Sequence, residues 1–380
     1  MPAGVPGGWP GGVTGDVDGP LRIAAQGGFW VGVTRTALPA GTAASGQMYV
    51  GYQIPAERRH TLPLVLVHGG GGQGTDYLQT PDGRPGWASF FLRRGHAVYV
   101  VDRPALGRSP YHPDLHGAPT PPPTYEHLLR LFVAPERHPD LYPQARLHTQ
   151  WPGGAEPGDP VLDQFMAPLG ASLADLGLVH REMRRLAAAL LDRIGPAVLL
   201  THSAGGPFGW LAADERPRLV RGIVAVEPLG PPFARTPTGR LDWGLTAAPL
   251  GFEPPAPDAA AIRTAELPAP RPDLKPCTVQ AAPARQLPNL GDVPVVVVTA
   301  EASWKAQEDH GVVEFLRQAG VPAEHLRLEE AGIRGNGHMV MLERNSDAVA
   351  ALLAEWIERR AMPPAPVPPS REACSDAPGP

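Results

Sequence analysis

Cysteine is scarce: Cys277 and Cys374 are the two in 380 residues. The second stands in a proline-rich tail, so no disulfide framework is expected, and two cysteines are too few for a thiolate metal centre. A basic excess is missing as well. With 33 Lys and Arg against 38 Asp and Glu the net charge is −5, which removes the footprint that a nucleic-acid backbone or an anionic membrane would demand. Nowhere do eighteen apolar residues run together, so no membrane-spanning helix is expected. The N-terminus, M-P-A-G-V-P-G-G-W-P-G-G, has neither a basic segment nor a continuous apolar one and predicts no export signal. As it stands the chain reads as cytoplasmic, with a periplasmic or secreted place left to a different native N-terminus. No H-E-x-x-H or comparable ligand cluster occurs, and no lysine follows Gly74 as a P-loop would require, so no metal and no cofactor are expected.

Proline (49) and glycine (44) are abundant instead, beside a hydrophobic content of 43% that is ample for a globule. The excess has to sit in loops and ends. Residues 1–20 and 361–380 are Gly- or Pro-rich with little to bury, and read as a flexible N-terminal segment and a disordered tail. Between them, residues 21–360 read as one domain. Two alternating runs, G-F-W-V-G-V-T-R-T (28–36) and Q-M-Y-V-G-Y-Q-I (47–54), predict an antiparallel pair. From residue 62 short continuous apolar runs take over: L-P-L-V-L-V, H-A-V-Y-V-V, A-V-L-L-T, G-I-V-A-V and V-P-V-V-V-V, with a weaker H-L-R-L-E near residue 325. Strands buried on both faces read this way.

Helical stretches fall between the strands, notably 172–194 and 346–358, each opened by a serine suited to N-capping. Strand and helix in alternation predict an α/β fold with a mostly parallel central sheet and helices on both faces. Two proline-dense intervals, 108–170 and 229–290, break the rhythm and are expected to form a cap or pocket wall. Within the first, Trp151 and Phe165 are candidate pocket walls.

After the strand A-V-L-L the sequence reads T-H-S-A-G-G, then the helix-like P-F-G-W-L-A-A-D. Ser203 thus sits at a strand-to-helix junction between small residues, the pattern of a nucleophile elbow. A sharp turn there lifts the hydroxyl clear of the sheet only if the residues at 201 and 205 are small; Thr201 departs from the commoner glycine. The ordinary alternative is a serine N-cap. His338, in G-I-R-G-N-G-H-M-V-M-L-E, lies in a glycine-rich loop before the terminal helix, where an imidazole can reach back to Ser203. Most of the thirteen histidines must be surface or hydrogen-bonded residues, and His338 is singled out by chain order and its glycine surroundings.

An imidazole used as a base needs a carboxylate to orient it. Two candidates lie between Ser203 and His338. Glu227 ends the strand I-V-A-V-E-P, whose carboxylate would cost several kcal/mol if buried unpaired. Glu301 follows the next strand, V-V-V-V-T-A-E-A-S-W. Glu227 is favoured because it leaves its strand directly and Pro228 fixes the exit. The loop H-G-G-G-G-Q-G, His68 to Gly74, would bring backbone N–H groups beside the nucleophile, and with the N–H of Ala204 these can bind a developing oxyanion.

Gly69, Gly71 and Gly74 also satisfy G-x-G-x-x-G, and Asp102 ends the following strand as a ribose-binding acid would. A nucleotide-dependent oxidoreductase is therefore the competing reading. It needs a helix at the third glycine, but T-D-Y-L-Q-T-P-D-G-R-P-G follows, where Pro81, Gly83 and Pro85 break any helix.

Elbow serine, downstream acid, late histidine and the upstream H-G-G-G loop together resemble the alpha/beta-hydrolase-fold serine esterases over residues 28–360. T-P-D-G-R-P-G-W, V-Y-V-V-D-R-P-A-L-G-R-S, L-H-T-Q-W-P-G, R-Q-L-P-N-L and G-N-G-H-M are similar to one bacterial esterase subgroup of that superfamily. The resemblance implies a Ser203, His338 and Glu227 triad, the acid being a glutamate after strand six, with an oxyanion hole at Gly70 and Ala204. It implies cleavage of a small-molecule carboxylic ester, with a lactone or polyester as alternative substrates and a catalytically silent ligand-binding protein as the alternative of another class. No nucleic-acid or membrane partner is expected; a homodimer is left open.

Overall fold

A computed structural model describes residues 19–362. All but the innermost residues of the expected flexible ends, 1–20 and 361–380, lie outside the described residues. Eight strands form one sheet: β1 (Ile23–Val31), β2 (Met48–Pro55), β3 (Leu64–Val67), β4 (Val98–Asp102), β5 (Ala197–His202), β6 (Val220–Val226), β7 (Val295–Thr299) and β8 (Ala323–Arg327). Their spatial order is β1-β2-β4-β3-β5-β6-β7-β8. β1 with β2 and β2 with β4 are antiparallel, and all other neighbours are parallel. The expected N-terminal pair forms, but it breaks after Val31. Thr34–Leu38 then pairs with Gly41–Ser45 in a separate hairpin, because Gly32 turns the chain at φ 67°.

The helices that cover the sheet are α1 (Trp87–Arg93), α2 (Leu176–Ile194), α3 (Gly206–Glu215), α4 (Asp309–Gln318) and α5 (Ser346–Trp356). Alternation within each strand sorts the core into two layers. Val65, Leu199, Val295 and Val297 meet α2, α3 and α4, whereas Leu64, Val198, Val296 and Val298 meet α1 and α5. Each such side chain contributes about 1.5–3 kcal/mol on full burial, so both faces of the parallel strands must be apolar. α2 starts four residues later than its periodicity suggests. Its cap is Asp175, accepting from Leu178 N–H at 3.0 Å, and not Ser172. α5 likewise has Asn345 at its cap, with Ser346 as its first residue and no side-chain cap bond. Among the described residues no helix is long and apolar enough to cross a membrane.

The chain leaves β3 toward β4 but leaves β5 toward β6, on the other side. The sheet therefore changes winding direction between β3 and β5, and a crevice opens beyond their C-terminal ends. The glycine loop follows β3 there, and Ser203 follows β5. The interval 108–170 lies over this edge as short helical turns, among them Leu129–Val133 and Pro160–Met166. The interval 229–290 instead sinks Phe233, Leu245, Leu250 and Phe252 into the α2, α3 and α4 layer.

Candidate active site

β5 ends at His202, and Ser203 takes φ 51°, in the left-handed region that L-residues avoid. Such strain costs about 1–3 kcal/mol and persists only where the surroundings over-determine it. Three contacts do so here. A β-carbon on Gly205 would lie 2.5 Å from the carbonyl oxygen of His68, and one on Gly69 would lie 3.2 Å from Ser203 Cβ. The Ser203 carbonyl accepts from Leu229 N–H at 2.8 Å. Thr201, in place of the commoner glycine, is fully buried, and its hydroxyl has no hydrogen-bond partner among the described residues.

Glu227 leaves β6 at φ 49°, a second strained non-glycine residue. Its buried carboxylate meets donors only. Oε1 accepts from Ala300 N–H at 2.7 Å, and Oε2 accepts from the Ser303 hydroxyl and, at 2.8 Å, from His338 Nδ1. Glu301 does none of this: it pairs with the exposed Arg334 and accepts from Gly335 N–H at 2.9 Å. The carboxylate joined to His338 is therefore Glu227.

The His338 ring packs against Trp304, His202 and Phe132, with centroid separations of 4.4, 4.6 and 5.3 Å. His202 Nε2 donates to the His338 carbonyl at 3.0 Å. Burial, then the Lys305 cation, push the imidazole pKa down to about 3, so it stands as free base at neutral pH. Burial pushes the Glu227 carboxyl above the usual carboxylate range, while the Ser303 hydroxyl, the Ala300 N–H and Lys305 pull it back toward the ionised form. Lys305 is itself buried, paired with Glu308 at 2.9 Å and Asp309 at 3.0 Å.

The glycine loop is aimed by Arg103. Its guanidinium donates to the Gly69 carbonyl at 2.6 Å and to the Ala204 carbonyl at 3.2 Å. His68 Nδ1 also lies 2.9 Å from the Gly69 carbonyl, and His68 Nε2 accepts from Arg103 N–H at 2.9 Å. Carbonyl and N–H of one peptide unit point opposite ways, so holding the Gly69 oxygen turns the Gly70 N–H away from Arg103. A β-carbon on Gly70 would lie 3.5 Å from Ala204 Cβ, which makes the two candidate donors neighbours. Asp102, the acid of the oxidoreductase reading, is occupied: it accepts from the N–H groups of Gly74 and Arg108, each at 2.7 Å. Only a single helical turn, Gly74–Tyr77, follows the third glycine.

A second buried carboxylate orders the histidine loop. Glu343 accepts from Gly337 N–H at 2.8 Å and from Asn336 Nδ2 at 2.7 Å. Above it, His148 of the first insertion bridges Glu343 at 2.8 Å and Glu136 at 3.1 Å. Burial alone would lower the His148 pKa, but the two carboxylates outweigh it and raise it to about 9. A raised folded-state value gives stability that is complete below the unfolded value near 6.5 and is lost as pH rises through 9. The Tm advantage of wild type over His148→Gln is thus expected to be largest below pH 6.5 and to shrink by pH 9.5. A pH-independent difference in thermal melts would remove the charged bridge.

Ser203 and His338 line one narrow pocket of about 40 Å³ together with Gly70, Phe132 and Phe165. Phe165 also borders an adjoining chamber of about 260 Å³. Of the two aromatics expected as walls, Phe165 faces the pocket, and Trp151 packs against it with ring centroids 5.2 Å apart. Ser303, Arg103, His148 and Glu343 escaped sequence reasoning as functional residues. All four sit inside stretches already conspicuous there: E-A-S-W, V-D-R-P, L-H-T-Q-W and H-M-V-M-L-E.

Residues 64–352 match the model of a family described as the alpha/beta hydrolase family. A probable secreted lipase, phiG, of a fungal species (strain ATCC 74256) is 43% identical over 317 residues, covering 82% of this chain and 86% of the relative. A bacterial esterase solved at atomic resolution superposes with a TM-score of 0.57 and 25% identity, over 90% of this chain and 98% of that one.

Proposed function

This chain belongs to the alpha/beta hydrolase family, and within it we propose a serine hydrolase that cleaves carboxylic esters through an acyl-enzyme. The observation that carries the reading is the buried Glu227–His338 pair at 2.8 Å, its imidazole sharing a pocket with a serine at a strained elbow. The names of the relatives, a lipase and an esterase, support it. That the fungal relative is called secreted supports an extracellular place for this chain also.

Ser203 Oγ attacks the ester carbonyl while its proton passes to the His338 imidazole, which is a free base before the reaction. Glu227 accepts from Nδ1–H, holds that tautomer and stabilises the imidazolium formed. The N–H groups of Gly70 and Ala204 receive the oxyanion. Because Arg103 and the elbow have already oriented these donors, little reorganisation is needed as charge develops. His338 then protonates the departing alcohol. Water, activated by the same imidazole, attacks the acyl-enzyme and releases the acid.

The pH profile tests this. Activity requires neutral His338, whose pKa is lowered, so activity is present above the folded-state value and lost as pH falls through it. With p-nitrophenyl butyrate, the acid limb of kcat/KM is expected to lie below the ordinary imidazole value near 6.5. A limb centred at the ordinary imidazole value near 6.5 would contradict a buried base. No hydrolysis at any pH would favour a ligand-binding role.

A further inference from the structure

Six carboxyl side chains are buried among the described residues: Asp76, Asp102, Asp214, Glu227, Asp309 and Glu343. Five have donors in the protein. Asp102 accepts from Gly74 and Arg108, Asp214 from Arg184 and Gly251, Glu227 from Ala300 and Ser303, Asp309 from Thr299, and Glu343 from Gly337 and Asn336. Asp76 has none: its carboxyl oxygens enter no hydrogen bond and no ion pair among the described residues. The Asp76 carboxyl is not sealed in the core: it lines the cavities beside Ser203, where a ligand group can reach it.

Asp76 lies in the turn after the glycine loop and is 8% exposed. A β-carbon on Gly72 would stand 2.4 Å from Asp76 Oδ2, which sets the carboxyl against the loop that carries Gly70. Asp76 and Phe165 are the two residues common to the pocket of Ser203 and the larger chamber, where Thr75, Gln79, Thr80 and Gln164 add polar wall. A substrate reaching Ser203 from that chamber passes the acid. Burial and the neighbouring Asp102 raise the Asp76 pKa to about 7, against the pull of Arg103. Both its protonated and ionised forms are thus present at neutrality, able to donate to or accept from a hydroxyl.

Resting on the ester hydrolase reading above, we propose that Asp76 is a substrate-recognition residue that hydrogen-bonds a hydroxyl group carried by the ester, so that hydroxylated esters are preferred over alkyl esters of equal length. A purely apolar ester leaves the acid unpaired and desolvated, and is penalised by it.

The test compares kcat/KM for matched pairs. On the acyl side these are p-nitrophenyl 2- and 3-hydroxybutyrate against p-nitrophenyl butyrate. On the alcohol side they are 2-hydroxyethyl against propyl butyrate. Wild type should prefer the hydroxylated member of at least one pair by about ten- to a hundredfold, the value of one such bond. Asp76→Asn, which can still bond a hydroxyl, should keep part of the preference. Asp76→Leu should lose it, with an unchanged or higher Tm, since no group among the described residues bonds to the acid. Wild type cleaving both members of every pair equally, or Asp76→Leu keeping the preference, overturns this proposal alone. Wild type cleaving no ester overturns the hydrolase reading and this inference with it.

Discussion

Ser203→Ala is expected to lower kcat for p-nitrophenyl butyrate by roughly 10⁴- to 10⁶-fold, the scale seen when the nucleophile of a serine triad is removed. Without Oγ no acyl-enzyme forms. On the proposed mechanism, what remains is water attack assisted by the Gly70 and Ala204 N–H groups and by binding. The elbow itself should survive, because its φ of 51° is imposed by Gly205, Gly69 and the Leu229 N–H rather than by the hydroxyl. An unchanged Tm beside lost turnover is therefore part of the expected result. Activity within tenfold of wild type would sink the assignment of Ser203.

Glu227→Gln and Glu301→Gln should part company. Glu227 faces three donors, so an amide there sets its own N–H₂ against at least one of them. Placed where Oε1 stands, the amide nitrogen opposes Ala300 N–H; placed where Oε2 stands, it takes the acceptor from both Ser303 and His338 Nδ1–H; in either case the negative charge that would stabilise the imidazolium is gone. A loss of about 10³- to 10⁴-fold in kcat is expected, as when a triad carboxylate becomes an amide. Glu301→Gln keeps an oxygen for Gly335 N–H and gives up an ion pair with a largely exposed Arg334. Such pairs contribute about 0–1 kcal/mol, so kcat should stay within threefold. Loss in Glu301→Gln alone would transfer the role to that acid.

The fold was legible wherever neighbours in sequence decide structure. Continuous apolar runs announced β3 to β7, and the proline-dense intervals marked the excursions from the sheet. Misreadings came at element ends. Ser172 and Ser346 look like caps locally, but α2 begins only where the chain, leaving the first insertion, can turn onto the sheet, and Asp175 stands at that point. The strand-six acid was reachable from I-V-A-V-E-P because a buried strand that ends in a carboxylate demands a partner. Which partner it meets is a distance of 2.8 Å across 111 residues of sequence.

The sequence by itself determined the alternation of strand and helix, the small residues that let Ser203 project, and the order of serine, acid and histidine along the chain. These follow from side-chain periodicity and backbone sterics, which act over a few residues. Tertiary structure alone decided that Ser303 braces Glu227, that Arg103 turns the Gly69–Gly70 peptide, that His148 ties the insertion to Glu343, and that Asp76, without a hydrogen-bond partner among the described residues, lines the pocket of Ser203. Hydrogen bonds and desolvation act through space over a few ångströms, and only the folded chain sets those distances.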